Sequence, residues 1–219
     1  MLVAWNTINT FLLRCKMKKS EAFKRRRSSY CFNPIKLSHA VLDDAFEAAR
    51  WAPSPFNFQP WRFLCFDRDE ERFRGLIGTC APRNQMWAKN ASFLIACCAE
   101  VPNRRGTYKA SQSIYAQYDD MTEYSVGICV GLFLAELTKS PLQAHQMRGF
   151  DESSARQVLE LPDTVRLLTL IAIGQELEDG AETFTDFDEV LRNRMKVKRV
   201  RKKMDEIVVW NQSGIMMSR

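Results

Sequence analysis

The chain has 219 residues, of which 46% are hydrophobic and 26% are charged, which is the composition of an ordinary globular protein. At this length a single core can bury enough apolar surface to fold without disulfides or a structural metal. The sequence has no run of 18 or more apolar residues, which argues against a membrane-spanning helix.

The first half of the chain predicts an extension followed by alternating helices and strands. Residues 1–17 form the extension, which lacks the charge order and cleavage site of a secretory signal, and Met17 offers an alternative start. A short basic helix is predicted at 18–27, and Ser38 is placed to cap a second helix that reaches Trp51. A buried strand is predicted at 61–66, a helix opens in the charged stretch 67–74, and another buried strand occupies 91–99.

The second half predicts a long apolar helix at 124–137, an amphipathic helix at 150–161 capped by Asp151, and a third buried strand at 165–174. Residues 204–210 predict an edge strand or one exchanged with another chain. These elements favour one α+β domain over residues 18–210, with 211–219 as a C-terminal tail.

Seven cysteines are present, an odd number, and no two have C-x-x-C spacing. Several lie inside apolar runs, where a thiol behaves as a small hydrophobic group. This pattern predicts reduced thiols and a reducing compartment, which we take to be the cytoplasm. Two histidines are too few to support a zinc site with these cysteines, so no metal is predicted.

The net charge of +6 is concentrated in two basic segments. Residues 14–27 carry eight Lys or Arg against one acid, and residues 196–203 carry six against none. Three interpretations are open: solvated surface charge, a local anion site, or phosphate contacts to a nucleic acid. The acidic remainder of the chain and the lack of aromatic residues between the basic ones count against nucleic acid.

Arginines in the two basic segments are candidates for a phosphate site. Arg26, Arg27 and Ser28 lie where a helix gives way to an extended segment, and guanidinium groups form charge-assisted bonds to phosphate. Arg199 and Arg201 alternate, so in an extended chain they point the same way. The sequence alone does not show whether the two pairs converge.

The stretch WAPSPFNFQPW at 51–61 predicts a rigid loop that carries amide and hydroxyl groups. Its prolines restrict the backbone, while Ser54, Asn57 and Gln59 supply donors and acceptors suited to a planar heterocycle. An alternative is a turn whose amides satisfy backbone groups. In the later stretch AHQMRGFD at 144–151, Gly149 would let a ligand approach the backbone.

Four stretches match one family in order and spacing: RRSSYCF at 26–32, APSPFNFQPW at 52–61, HQMRGFD at 145–151 and RKKMDEIV at 201–208. Asn84 before a buried strand and Gly174 at the end of another fit the same pattern. On these motifs the chain resembles the nitroreductase family of flavin-dependent oxidoreductases, over roughly residues 20–210.

The resemblance implies a mixed, mainly antiparallel sheet flanked by helices, in an intertwined homodimer with FMN at two interface sites. Arg26, Ser28, Arg199 and Arg201 would hold the phosphate and ribityl chain, with Arg27 beside them. Asn84 would bond the flavin ring, and Met147, Arg148 and Gly149 would bring backbone close to flavin N5. The loop residues Pro53, Ser54, Pro55 and Asn57 would reach the partner's flavin, supported by Gln59. Tyr30 stands where many members carry a cation near flavin N1 and O2.

The implied activity is transfer of hydride from NADH or NADPH, through flavin N5, to an electrophilic small-molecule acceptor such as a nitroaromatic or a quinone. The cofactor carries this chemistry, so no catalytic side chain is required. Rivals are a flavin dehydrogenase or reductive dehalogenase of the same family and, in another class, a basic nucleic-acid-binding protein. On the main interpretation neither nucleic acid nor membrane is a partner. Tyrosines in 108–124 are candidates for a lid over the flavin.

Overall fold

The computed structural model describes residues 23–100, 119–177 and 189–210. Their sheet has four strands: β1 (Trp61–Asp67), β2 (Phe93–Glu100), β3 (Leu142–Met147) and β4 (Val165–Gln175). The strand order is β1-β2-β4-β3, and every neighbouring pair is antiparallel. This is the α+β fold predicted from the sequence, with β1 and β3 at the two edges.

Besides a helical end at residues 23–25, six α-helices accompany the sheet in the described residues: α1 (Asp43–Arg50), α2 (Glu71–Thr79), α3 (Pro82–Ala88), α4 (Asp119–Leu137), α5 (Glu152–Leu159) and α6 (Glu189–Lys196). Short 3₁₀ helices occur at His39–Leu42, Pro55–Asn57 and Met204–Glu206. Two predicted caps are confirmed: the Ser38 hydroxyl accepts from Ala40 N (3.4 Å), and the Asp151 carboxylate from Ser154 N (2.8 Å).

Both faces of the sheet are covered. On β2, Leu94, Ala96 and Cys98 face a core that includes residues of α2, α3 and α5. The alternate residues of the same strand face a second core with α1 and α4. Because side chains alternate between the faces of a strand, two-sided burial explains why β2 and much of β4 are continuous apolar runs rather than alternating patterns.

Several sequence predictions need correction. The strand β3 and the helices α3 and α6 were not predicted. The basic helix ends at Arg25 rather than at residue 27, and residues 26–28 have no regular secondary structure. The edge strand expected at 204–210 is wrong for this chain: the Glu206 carboxylate accepts from Lys203 N (2.6 Å) and closes a 3₁₀ turn there. Residues 1–17, 211–219 and the tyrosines at 108, 115 and 118 lie outside the described residues.

Two findings concern the thiols and the helices of the described residues. Among the described residues, Cys65, Cys80, Cys97, Cys98 and Cys129 carry free thiols. Among the helices described, none is both long enough and apolar enough to cross a membrane.

Gly174, near the end of β4, is expected to tolerate no side chain. A Cβ there would lie 3.1 Å from the Phe32 ring and 3.2 Å from the backbone nitrogen of Ser92, which is already bonded to Ile173 O (2.9 Å). Gly174→Ala should therefore lower the free energy of unfolding by about 1–3 kcal/mol, measured by urea denaturation. Gly78→Ala in α2, where the added methyl meets open space, is the control and should be neutral or stabilising.

Candidate functional site

A basic cavity of about 460 Å³ lies between residues 26–28 and the chain that follows α6. Its lining consists of Arg26, Arg27, Ser28, Arg194, Met195, Val197, Lys198, Arg199 and Arg201. The structure thus brings together the two arginine-bearing segments that the sequence could not connect. Arg199 makes this contact itself, because its guanidinium donates to the backbone oxygens of Lys24 and Arg26.

The cavity holds positive charges that lack a matching acid. Among the described residues, no carboxylate lies within 4.0 Å of Arg26, Arg199 or Arg201. The pKa of Arg26 is lowered, first by burial and then by the nearby charges of Arg199 and Arg201. Like charges held this close repel one another, so a bound anion would relieve the repulsion. An ionised phosphate fits this donor set well.

Arg27 differs from its neighbours because its charge is already paired. One terminal nitrogen lies 2.7 Å from a carboxylate oxygen of Glu176, and Nε donates to the same oxygen (3.2 Å). The other terminal nitrogen donates to the backbone oxygen of Met195 (3.4 Å). The second oxygen of Glu176 accepts from the Ser29 hydroxyl (2.7 Å). The sequence prediction missed Glu176, the first of several acids that follow an apolar strand.

The segment that follows β3 packs against α3. The backbone oxygen of Gly149 accepts from Ala81 N (2.8 Å) and from the side-chain nitrogen of Asn84 (3.0 Å). A Cβ on Gly149 would lie 2.7 Å from that same nitrogen, so any larger residue would displace the Asn84 side chain from this bond. The structure therefore joins two predicted site residues, Asn84 and Gly149, while Met147 is buried in the core.

Arg148 is exposed, and its guanidinium interacts with residues close to it in the sequence. Its guanidinium bonds to the carboxylate of Glu152 (2.6 Å) and lies 4.9 Å from the centre of the Phe150 ring. A contact between this region and a flavin stays a prediction.

His145 connects β3 to the segment beside the basic cavity. Its ring stacks on Trp87, with centroids 4.2 Å apart, and Tyr30 packs edge-on against both rings. Its Nδ1 lies 2.8 Å from the backbone oxygen of Ser29, an acceptor, so Nδ1 carries the proton. The half-buried ring of Tyr30 thus takes part in this aromatic packing, and its predicted place beside a flavin is untested.

Protonation of His145 is expected to destabilise the fold. Burial lowers its pKa from the ordinary value of 6.5, with a further lowering from the charge of Arg26. The unfolded chain therefore binds more protons than the native protein, so stability is complete above about pH 6.5 and is lost as the pH falls below it. Urea denaturation between pH 7.5 and 5.5 should show this loss in the wild type and a smaller one in His145→Gln. An equal slope in both would contradict it.

The proline-rich loop precedes β1 and holds a strained backbone. Phe56, Asn57 and Gln59 have φ values of 51°, 58° and 49°. This left-handed region costs energy for residues other than glycine, least for asparagine. The Ser54 hydroxyl accepts from Gln59 N (2.9 Å) and closes the loop. Pro53 and the amides of Asn57 and Gln59 are exposed, while Ser54 and Pro55 are half-buried.

The predicted site residues fall on opposite edges of the sheet. The loop leads into edge strand β1, whereas the basic cavity and Gly149 lie beside edge strand β3. Trp61, at the start of β1, lies opposite Ala99 of β2, and Ala99 lies opposite Arg166 near the start of β4. Because β3 is antiparallel to β4, the end of β3 also lies towards the start of β4. The loop before β1 and Gly149 after β3 therefore lie towards the same end of the sheet. Three strand spacings of about 4.8 Å still separate these edges by roughly 14 Å. Within one chain the structure does not bring the two groups together.

Comparison with known proteins identifies the family. The model of the Nitroreductase family matches residues 23–175, so the chain belongs to the nitroreductase family. A Streptococcus pyogenes protein whose name marks it as a candidate NAD(P)H nitroreductase is 23% identical over 204 residues, which cover 81% of this chain and 100% of the relative. A Thermus thermophilus protein named NADH dehydrogenase is 27% identical over 185 residues, which cover 74% of this chain and 88% of the relative.

Solved structures show the same fold. A crystal structure described as that of an oxidoreductase containing FMN superposes with a TM-score of 0.72 at 24% identity, covering 87% of this chain and 90% of the other. The family and fold predicted from the sequence are therefore confirmed, and the chain is an oxidoreductase by family.

Proposed function

We propose that this chain is an FMN-dependent oxidoreductase that transfers hydride from NADH or NADPH to an electrophilic acceptor such as a nitroaromatic or a quinone. The observation that carries the proposal is the basic cavity, in which Arg26, Arg199 and Arg201 converge and no acid of the described residues pairs with them. The name of the Thermus relative and the FMN in the solved structure give independent support.

The residues present fit the phosphate end of FMN. The three arginines supply charge-assisted donors, and the exposed Ser28 adds a hydroxyl on the cavity wall. Arg199 is held in place by the backbone oxygens of Lys24 and Arg26, so its guanidinium is fixed in the cavity wall. This preorganisation reduces the entropy lost when a phosphate binds.

The edge strand β3 offers a path from the cavity to a ring-binding region. Gln143 near its start accepts from Arg27 N (3.4 Å), and the exposed Gly149 follows its end. From Gln143 to Met147 the strand advances about 13 Å, which suits an elongated ligand that carries a phosphate at one end and a planar ring system at the other. Gly149 would admit the ring close to the backbone, and Asn84 would supply polar atoms to its edge.

FMN, when bound, would accept hydride at N5 and pass two electrons to the acceptor. The chain's task is to bind and orient the reacting rings and to limit water around them. No acid or base among its side chains is needed for this role. The alternative activities of the family, dehydrogenation and reductive dehalogenation, would use the same site and differ in the acceptor.

The separation of the two groups of site residues supports a homodimeric site. The loop on β1 lies roughly 14 Å across the sheet from Gly149 in its own chain, by three strand spacings. If the loop contacts a flavin, we therefore assign that flavin to a second copy of the chain. The exposed apolar residues Ile207, Val209 and Trp210 after α6 give the tail surface for contact with that copy.

The test is anaerobic reduction of the FMN-loaded protein. Addition of NADH or NADPH should bleach the flavin absorbance, and a nitroaromatic or a quinone should restore it. Comparing the two donors assigns the nicotinamide, and adding a halogenated aromatic tests dehalogenation. A loaded protein that neither nicotinamide reduces would overturn the proposed hydride transfer.

A further inference from the structure

Glu176 occupies a position that joins three parts of the candidate site. Its backbone follows β4 and forms a β-bridge with Phe32, flanked by bonds from Asn33 N to Gln175 O (2.8 Å) and from Leu177 N to Cys31 O (3.0 Å). Its side chain is only 18% exposed. The carboxylate is therefore fixed to the sheet, immediately beside the segment that carries Arg26 and Ser28.

The carboxylate uses both oxygens to hold that segment. One accepts from the Ser29 hydroxyl (2.7 Å), and the other pairs with Arg27 (2.7 Å). Arg27 and Ser29, which alternate with Arg26 and Ser28 along the chain, are thereby attached to the sheet. Ser29 is fully buried and also accepts from Cys31 N (3.2 Å) through its hydroxyl oxygen.

Arg27 extends the same network to α6. Its remaining terminal nitrogen donates to the backbone oxygen of Met195, and the sulfur of Met195 accepts from Tyr30 N (3.4 Å). Met195 lies four residues before Arg199, so these bonds set where the second arginine-bearing segment leaves the helix. The pair of Glu176 and Arg27 thus connects the two sides of the cavity.

We propose that Glu176 is a positioning residue for the phosphate site: it fixes the spacing between the two arginine-bearing segments, and Arg27 is its link to α6 rather than a phosphate ligand. This inference rests on the proposed binding of FMN in the basic cavity. It runs against simple electrostatics, because removing an acid beside an anion site would by charge alone strengthen binding of the anion.

The direction in which one substitution changes the affinity for FMN tests the proposal. Glu176→Ala should weaken FMN binding about tenfold, measured by flavin fluorescence titration of the apoprotein, because two bonds to a charged group are lost. Binding of riboflavin, which lacks the phosphate, should change by less than about threefold. Arg27→Ala should have a similar effect, and the double variant should be no worse than either single one, since both break the same connection.

Controls keep the result interpretable. Glu160→Ala removes an acid from an exposed pair with Arg72 (2.9 Å) and should leave FMN affinity unchanged. Glu176→Gln retains a side-chain oxygen for Ser29 and serves as the conservative variant; it should bind FMN more tightly than Glu176→Ala and less tightly than the wild type. If Glu176→Ala does not fold, the comparison of Glu176→Gln with the wild type decides.

FMN affinity equal to or higher than wild type in Glu176→Ala, or in Glu176→Gln where the alanine variant does not fold, would overturn the positioning role. Equal losses for FMN and riboflavin would also overturn it, because they indicate a general loss of structure. A wild-type protein that binds no FMN would instead defeat the proposed function itself, so the two failures are distinguishable.

Discussion

Replacing Arg201 with alanine is expected to weaken FMN binding roughly 10- to 150-fold, the loss that one charge-assisted contact of about 1.5–3 kcal/mol represents. Arg201 lines the basic cavity and is exposed, and its side-chain bond to the backbone oxygen of the adjacent Val200 (2.8 Å) does not anchor it elsewhere. Its removal should therefore leave the fold intact. Flavin fluorescence titration gives the affinity, and thermal denaturation reports on stability.

The matched control for Arg201 is Lys202→Ala. Lys202 carries the same charge on the next residue of the same exposed segment, but it does not line the cavity. If the site recognises phosphate through specific donors, Lys202→Ala should change FMN affinity by less than about threefold. Equal losses in both variants would indicate that only the general positive charge matters, and unchanged affinity in Arg201→Ala would refute its assigned contact.

If the loop contacts the flavin of the partner subunit, mixing two differently mutated chains is expected to restore some native FMN sites. One chain carries Arg201→Ala, and the other carries Asn57→Gly, which removes the amide and accepts the positive φ of that position. In a mixed dimer one site receives both defects and the other receives neither. Random pairing would then give native components at about a quarter of all sites, from half the sites in half the dimers.

Co-expression followed by FMN titration measures this recovery. A fraction of sites should bind FMN with wild-type affinity, and the same fraction of nicotinamide-dependent activity should return. Neither homodimer should show it. If each site were contained within one chain, every chain in the mixture would be defective, and no high-affinity fraction would be found.

The sequence predicted those parts of the fold that buried apolar runs determine. β1, β2 and β4 are such runs: the predicted burial is confirmed for β2 and for most of the second half of β4, but it is wrong for β1, an edge strand of which only Trp61 and Phe66 are buried. β3, by contrast, has the mixed sequence LQAHQM. It is an edge strand, and its polar side chains Gln143 and His145 bind the neighbouring segment. α3 is seven residues long and begins with proline, too short for helical periodicity to be recognised.

The candidate site was only partly predictable for a related reason. Arg26, Ser28, Arg199 and Arg201 belong to local motifs, and the resemblance to the family supplied their common purpose. Their convergence depends on Arg199 reaching a backbone more than 170 residues away, which no local pattern encodes. Glu176 has no motif at all, and its significance comes from contacts to Arg27 and Ser29 that exist only in the folded chain.

The most direct test of the account is the ratio of FMN to riboflavin affinity in the wild-type apoprotein. The two ligands share the ring system and differ in the phosphate, so the ratio isolates the contribution of the basic cavity. The structure predicts one FMN per chain and at least about a hundredfold preference over riboflavin, as two or more charge-assisted contacts would provide. Failure to bind FMN, or equal affinity for both ligands, would contradict the assignment of this cavity as the phosphate site.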